Sequence, residues 1–165
     1  MNDDTYNILF LCTRNAARSV MAEAIVNRQG YGRFQAFSAG TNPAREVRPE
    51  VVRLLQRMDC NVEAAYAKSL TELIGSNMPE LDFMITICDQ DREKTCPVWP
   101  GHPTTALWPL PDPGAHRANG SASETDYAET FRCLSEGLAS FMSLPKDQLD
   151  RMSLRNSLDT FHRMH

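Results

Sequence analysis

The stretch LFLCTRNAARSVMAEA, residues 9–24, passes from an apolar run through a short polar bend into a helical pattern. Residues 6–12, YNILFLC, are short, apolar and closed by polar residues, which predicts a buried strand. From Ser19 onward, Met21, Ala24, Ile25 and Arg28 fall at helical spacing, and Gly30 marks the stop. Cys12 stands where the strand ends and Arg18 where the helix begins. A packed core requires neither residue at those places.

A turn between a strand and a helix aims main-chain N–H groups inward, and the helix start adds partial positive charge. An anion fits there, and a thiol in such a nest loses its proton readily. Cys12 is placed for this. Arg18 offers a planar fork that can hold two oxygens of phosphate or arsenate, a grip lysine lacks. Ser19 can cap the helix or donate to the thiolate. Asn15 tolerates a positive φ, and Ala16 and Ala17 keep the bend slim. The bland alternative is a buried strand-end thiol and a surface arginine. The strand before, the helix after and the adjoining serine weigh against it. No G-x-x-x-x-G-K pattern occurs, which disfavours a nucleotide-binding loop.

Outward from this loop, residues 33–38 alternate like a strand and end at Ala39-Gly40. Pro49 opens a helix whose buried side is Val51, Val52, Leu54 and Leu55, and a shorter helix covers 69–76. DFMITIC, residues 82–88, is a second apolar strand ending on a cysteine. Residues 97–114 hold six prolines and two glycines and read as loop, with a short strand around Thr105 to Trp108. Residues 116–123 read as an exposed polar loop. Tyr127, Phe131, Leu134, Leu138 and Phe141 form a helical stripe, and after Pro145 a last helix carries Leu149, Met152, Leu158 and Phe161. Alternating strands and helices predict an α/β fold, a parallel sheet with helices on both faces and an extra C-terminal helix. Ligands in such sheets bind beyond the carboxyl ends of strands, where Cys12 and Cys88 both fall.

The chain has 165 residues, 42% hydrophobic and 23% charged, which suits one globular domain. Residues 1–144 are expected to form the catalytic domain and 145–165 a helical tail. A net charge of -4 argues against nucleic-acid or acidic-membrane binding, so any anion site is local. The acidic start lacks the features of a secretory signal and no apolar run has membrane-spanning length, which predicts a cytoplasmic protein. Five cysteines, an odd number, read as thiols rather than a disulfide framework.

A thiolate that displaces an oxygen from phosphorus or arsenic needs a proton for the departing group. Asp112, in PLPDPG, is the candidate acid, stiffened by Pro111 and Pro113; an ordinary Asp-Pro turn is its plain alternative. Cys60 and Cys133 read as packing residues, and Arg45, Arg48, Arg53 and Arg57 as a solvated helical face. Trp99 and Trp108 either wall the site or sit in the core. The histidines form no metal-binding pattern, and Cys88, Cys96 and His102 fit no compact zinc spacing, so no metal site is assigned.

Taken together, CTRNAARS (12–19), FSAGTNP (37–43), DFMITIC (82–88), CPVWPG (96–101) and LPDP (110–113) resemble the low-molecular-weight protein tyrosine phosphatase superfamily. Within it they are most like the thiol-dependent arsenate reductases. The resemblance implies a four-stranded parallel sheet and Cys12 as nucleophile. It implies that Arg18 and the loop residues Thr13, Arg14, Asn15, Ala16, Ala17 and Ser19 bind the oxyanion, and that Asp112 is the general acid. Three departures stand out. Arg14 occupies a position often glycine, Ala17 one that is cysteine in many phosphatases, and Gly114, Ala115 and His116 replace the aromatics that hold a tyrosine ring.

Phosphatase and reductase share attack by Cys12 and then diverge. Reduction of arsenate consumes two electrons, for which the resemblance points to Cys88 and Cys96 as a redox pair and to an external thiol, thioredoxin or glutathione with glutaredoxin. The rival expectations are a phosphatase acting on phosphotyrosine or small phosphoesters, and a non-catalytic oxyanion-binding or thiol-sensing module.

Overall fold

The computed structural model describes residues 5–12, 14–15, 17–63, 65–74, 79–88, 104–110, 113 and 122–155. In chain order the elements are β1 (Tyr6–Cys12), α1 (Arg18–Gln29), β2 (Phe34–Gly40), α2 (Pro49–Arg57), α3 (Leu70–Ile74), β3 (Phe83–Cys88), β4 (Thr104–Pro109), α4 (Glu124–Met142) and α5 (Lys146–Arg155). The four strands pair in parallel in the order β2-β1-β3-β4. The chain moves from β1 outward to β2, then crosses to the other side of β1 to lay down β3. The strand order therefore reverses between β1 and β3, and the crevice beyond their carboxyl ends is where such sheets take ligands.

The apolar runs of β1 and β3 are buried on both faces, as parallel strands covered on both sides must be. Tyr6, Ile8 and Phe10 join Phe83, Ile85 and Ile87 in the larger core, with Val20, Met21 and Ile25 of α1, Leu54 and Leu55 of α2, and Leu134, Leu138 and Phe141 of α4. Leu9, Leu11, Ala39 and Met84 form a second cluster on the opposite face with Leu70 and Leu73 of α3. Each of these large side chains contributes about 1.5–3 kcal/mol on burial.

Two strands run longer than their sequence suggests. β2 continues through Ala39 and Gly40 because pairing with β1 persists to Cys12↔Gly40. β4 spans all of 104–109 because each of its residues pairs with one of β3, so tertiary pairing overrides the prolines around it. α4 begins at a reciprocal capping box in which the Ser123 side chain accepts from the Asp126 N–H and the Asp126 side chain accepts from the Ser123 N–H.

The last helix docks onto the sheet. Leu149 is fully buried in the main core, and the Tyr6 hydroxyl donates to Asp150 Oδ1 at 2.6 Å and to the Lys146 carbonyl at 3.2 Å. Burial, and then Asp150, push the Tyr6 hydroxyl well above the usual tyrosine range. The Asp150 carboxyl is held below the usual carboxylate range, first by Tyr6 and then by Lys146. A depressed carboxylate contributes stability above its unfolded pKa of about 4, and that contribution fades as pH falls through the lower folded value. Tyr6→Phe is therefore expected to lower the urea midpoint at pH 7, with the gap from wild type narrowing below about pH 4. A gap unchanged at pH 2 would assign the effect to packing instead.

Candidate active site

The sheet delivers Cys12 to the carboxyl end of β1, where the residue is only 6% exposed. The Asn15 main-chain N–H donates to Cys12 Sγ at 3.2 Å, and Ser19 Oγ lies 2.8 Å from the same sulfur. Asn15 turns the chain through a left-handed backbone, φ 49°, which its short polar side chain accommodates. Helix α1 then starts after Ala17 with no capping side chain and no acidic residue in its first turn. Of the two roles open to Ser19, the contact with sulfur is the one present.

The polarity of this network follows from one donor. The Lys68 main-chain N–H donates to Asn15 Oδ1 at 2.7 Å, so the carboxamide nitrogen must face the other way. That nitrogen, Nδ2, donates to Ser19 Oγ at 2.7 Å. Having accepted from Asn15, Ser19 has its own proton to give to Cys12. Two N–H or O–H groups therefore point at the sulfur, an arrangement suited to an anionic sulfur.

Residues 41–44 latch the loop from the side. The Thr41 N–H donates to the Cys12 carbonyl at 3.3 Å, and the Ala44 N–H donates to the Arg14 carbonyl at 2.8 Å. Arg14 itself is exposed. Arg18 Nη1 donates to the Leu110 carbonyl at 2.6 Å, just past β4. The guanidinium is thereby tied to the start of the LPDP segment, and Pro113 beyond it is buried.

Thus Cys12, Arg14, Asn15, Ala17, Arg18 and Ser19 come together in one loop. The backbone of Cys88 ends β3, beside β1, where Leu11 pairs with Thr86. Thr13, Ala16, Cys96 and Asp112 lie outside the described residues. Cys60 is buried, and burial pushes its thiol up; Cys133 is half-buried on α4. Trp108 packs against the core. Arg53 and Arg57 are exposed, and Arg53 pairs with Glu124 at 3.2 Å.

Glu23, Lys68, Ser38 and the Leu110 carbonyl take part here without having been singled out by the sequence. Glu23 and Lys68 form a buried ion pair at 3.4 Å, and Ser38 Oγ donates to the same Glu23 oxygen at 2.6 Å. Burial pushes the Glu23 carboxyl above the usual carboxylate range, against the opposing pulls of Lys68 and Ser38. The signal available was Glu23 standing one helical turn after Ser19 on the side of α1 that faces the core. The Leu110 carbonyl, being main chain, has no signature in residue types.

The family described as "Low molecular weight phosphotyrosine protein phosphatase" matches residues 7–153, nearly the whole chain and into α5. The chain belongs to this family. Among its relatives, a protein from Brevibacillus brevis named arsenate reductase is 31% identical over 107 residues, 64% of this chain and 75% of that one. An arsenate reductase from Bacillus subtilis is 29% identical over 118 residues, 71% of this chain and 79% of that one. Among solved structures, the arsenate reductase of Archaeoglobus fulgidus superposes with a TM-score of 0.65 at 26% identity, covering 83% of this chain and 99% of that one. The four-stranded parallel α/β architecture is thus the family's own. No helix among the described residues is long and apolar enough to cross a membrane.

Proposed function

We propose that this low-molecular-weight phosphatase-family chain is a thiol-dependent arsenate reductase working in the cytoplasm. The observation that carries the reading is Cys12 Sγ beneath two hydrogen-bond donors, with a second cysteine ending the neighbouring strand. In this mechanism the Cys12 thiolate attacks arsenic and an oxygen leaves as water, protonated by Asp112. Arg18 and the loop amides hold the remaining oxygens as charge builds on them. The Cys88 thiolate then attacks Cys12 sulfur, and the electron pair of the S–As bond stays on arsenic, which departs as arsenite. The products are arsenite and a Cys12–Cys88 disulfide, so the two electrons balance. Cys96 next attacks Cys88, freeing Cys12, and an external thiol, thioredoxin or glutathione with glutaredoxin, reduces the Cys88–Cys96 disulfide. No bound organic cofactor or metal enters.

A low-molecular-weight phosphatase would share the first step and let water hydrolyse the Cys12 adduct, with no use for Cys88. The family description favours that second reading, while Gly114, Ala115 and His116 stand where the phosphatases tend to carry the aromatics that hold a tyrosine ring. Cys88→Ser separates them. With arsenate and either thiol system, the variant is expected to lose arsenite formation by about 100-fold or more. Hydrolysis of an aryl phosphate should be unchanged. Aryl phosphate turnover without arsenite in the wild type would leave the phosphatase; neither activity would leave an oxyanion-binding module.

A further inference from the structure

One buried charge pair is used by no step above. Lys68 and Glu23 are each about as buried as core residues, 5% and 6% exposed. Lys68 Nζ lies 3.4 Å from Glu23 Oε1, donates to the Tyr66 carbonyl at 2.9 Å and sits 4.4 Å from the Tyr66 ring centroid. Its backbone is gripped on both sides: the Gly40 N–H donates to its carbonyl at 2.8 Å, and its own N–H donates to Asn15 Oδ1 at 2.7 Å. Gly40 is the residue of β2 that pairs with Cys12.

A buried ion pair seldom stabilises a fold more than an apolar pair of the same volume, so stability alone gives little reason for it here. What it does is fix geometry. Glu23 follows Ser19 by one turn, so α1 carries both the group facing the sulfur and the anchor for the lysine. We propose that Lys68, held by Glu23, is a positioning residue for the Cys12 sulfur. Its anchored ammonium fixes its main-chain N–H; that N–H fixes which way the Asn15 carboxamide faces; and the carboxamide aims the Ser19 proton at Cys12. The inference rests on the reading of Cys12 as nucleophile.

Lys68→Met keeps the main-chain N–H but leaves the buried Glu23 without its counter-charge, so Glu23→Gln/Lys68→Met is the deciding variant. Iodoacetamide labelling of the intact protein is followed at each cysteine by peptide mass spectrometry, with Cys133 of the same chain as reference. Thermal melting near that of the wild type is expected for the double variant. Its Cys12 labelling at pH 7 should slow by about 10-fold, and the deficit should close by about pH 10, where ordinary thiols are ionised as well. Wild-type labelling at pH 7, or a deficit that persists at pH 10, would overturn the proposal. Arsenate takes no part, so a wrong choice between reductase and phosphatase leaves the result intact. Wild-type Cys12 labelling no faster than Cys133 at pH 7 would bring down the nucleophile reading and this inference with it.

Discussion

Cys12→Ser is expected to remove arsenite formation and aryl phosphate hydrolysis alike, by about 10⁴-fold or more. The serine hydroxyl is close in size, so the Asn15 N–H and the Ser19 hydroxyl, 3.2 and 2.8 Å from the sulfur, keep an acceptor in place and the loop keeps its shape. What disappears is the thiol as nucleophile: a hydroxyl ionises far less readily than a thiol and attacks more weakly at neutral pH. Phosphate affinity, measured by calorimetry, should therefore change little while turnover vanishes. Loss of both binding and turnover would mean that the substitution collapses the loop.

Asn15→Ala carries the second large effect, on stability and activity together. Alanine at φ 49° costs about 1–2 kcal/mol. Removing Oδ1 also leaves the buried Lys68 N–H without that acceptor, which costs about 1–3 kcal/mol. Urea unfolding should report a loss of about 2–5 kcal/mol. Without the carboxamide the Ser19 hydroxyl is free to turn away, and turnover should fall by about 10–100-fold. Asn15→Gly isolates the two causes. Glycine accepts the left-handed backbone and should recover the conformational share of stability, yet restore none of the turnover. Wild-type turnover in Asn15→Gly would show that the backbone alone aligns the sulfur.

The strand-loop-helix unit was legible in the sequence because three local signals agree: an apolar run that stops, small residues in the bend, and helical spacing after it. Asn15 shows the same agreement, since a residue suited to positive φ stands where the chain needs one. Ser19 left two roles open that residue type could not separate; the Lys68 N–H, supplied to Asn15 from 53 positions away, decides between them. β4 is set by its partner strand, despite the proline-rich segments on either side of it. Glu23 and Lys68 escaped notice because a charge on a helix or in a loop ordinarily marks a solvated face, and their pairing joins segments 45 residues apart. The roles given to Cys96 and Asp112 come from motif alone, as both lie outside the described residues.

In the proposed cycle Cys12 and Cys88 together carry two electrons to arsenic. The decisive experiment is a single turnover of fully reduced protein with arsenate and no external thiol. The expected yield is up to one arsenite per chain, matched by the loss of two thiols and a new disulfide, with none of this in Cys12→Ser. Arsenate left unreduced while every thiol stays free would rule the cycle out.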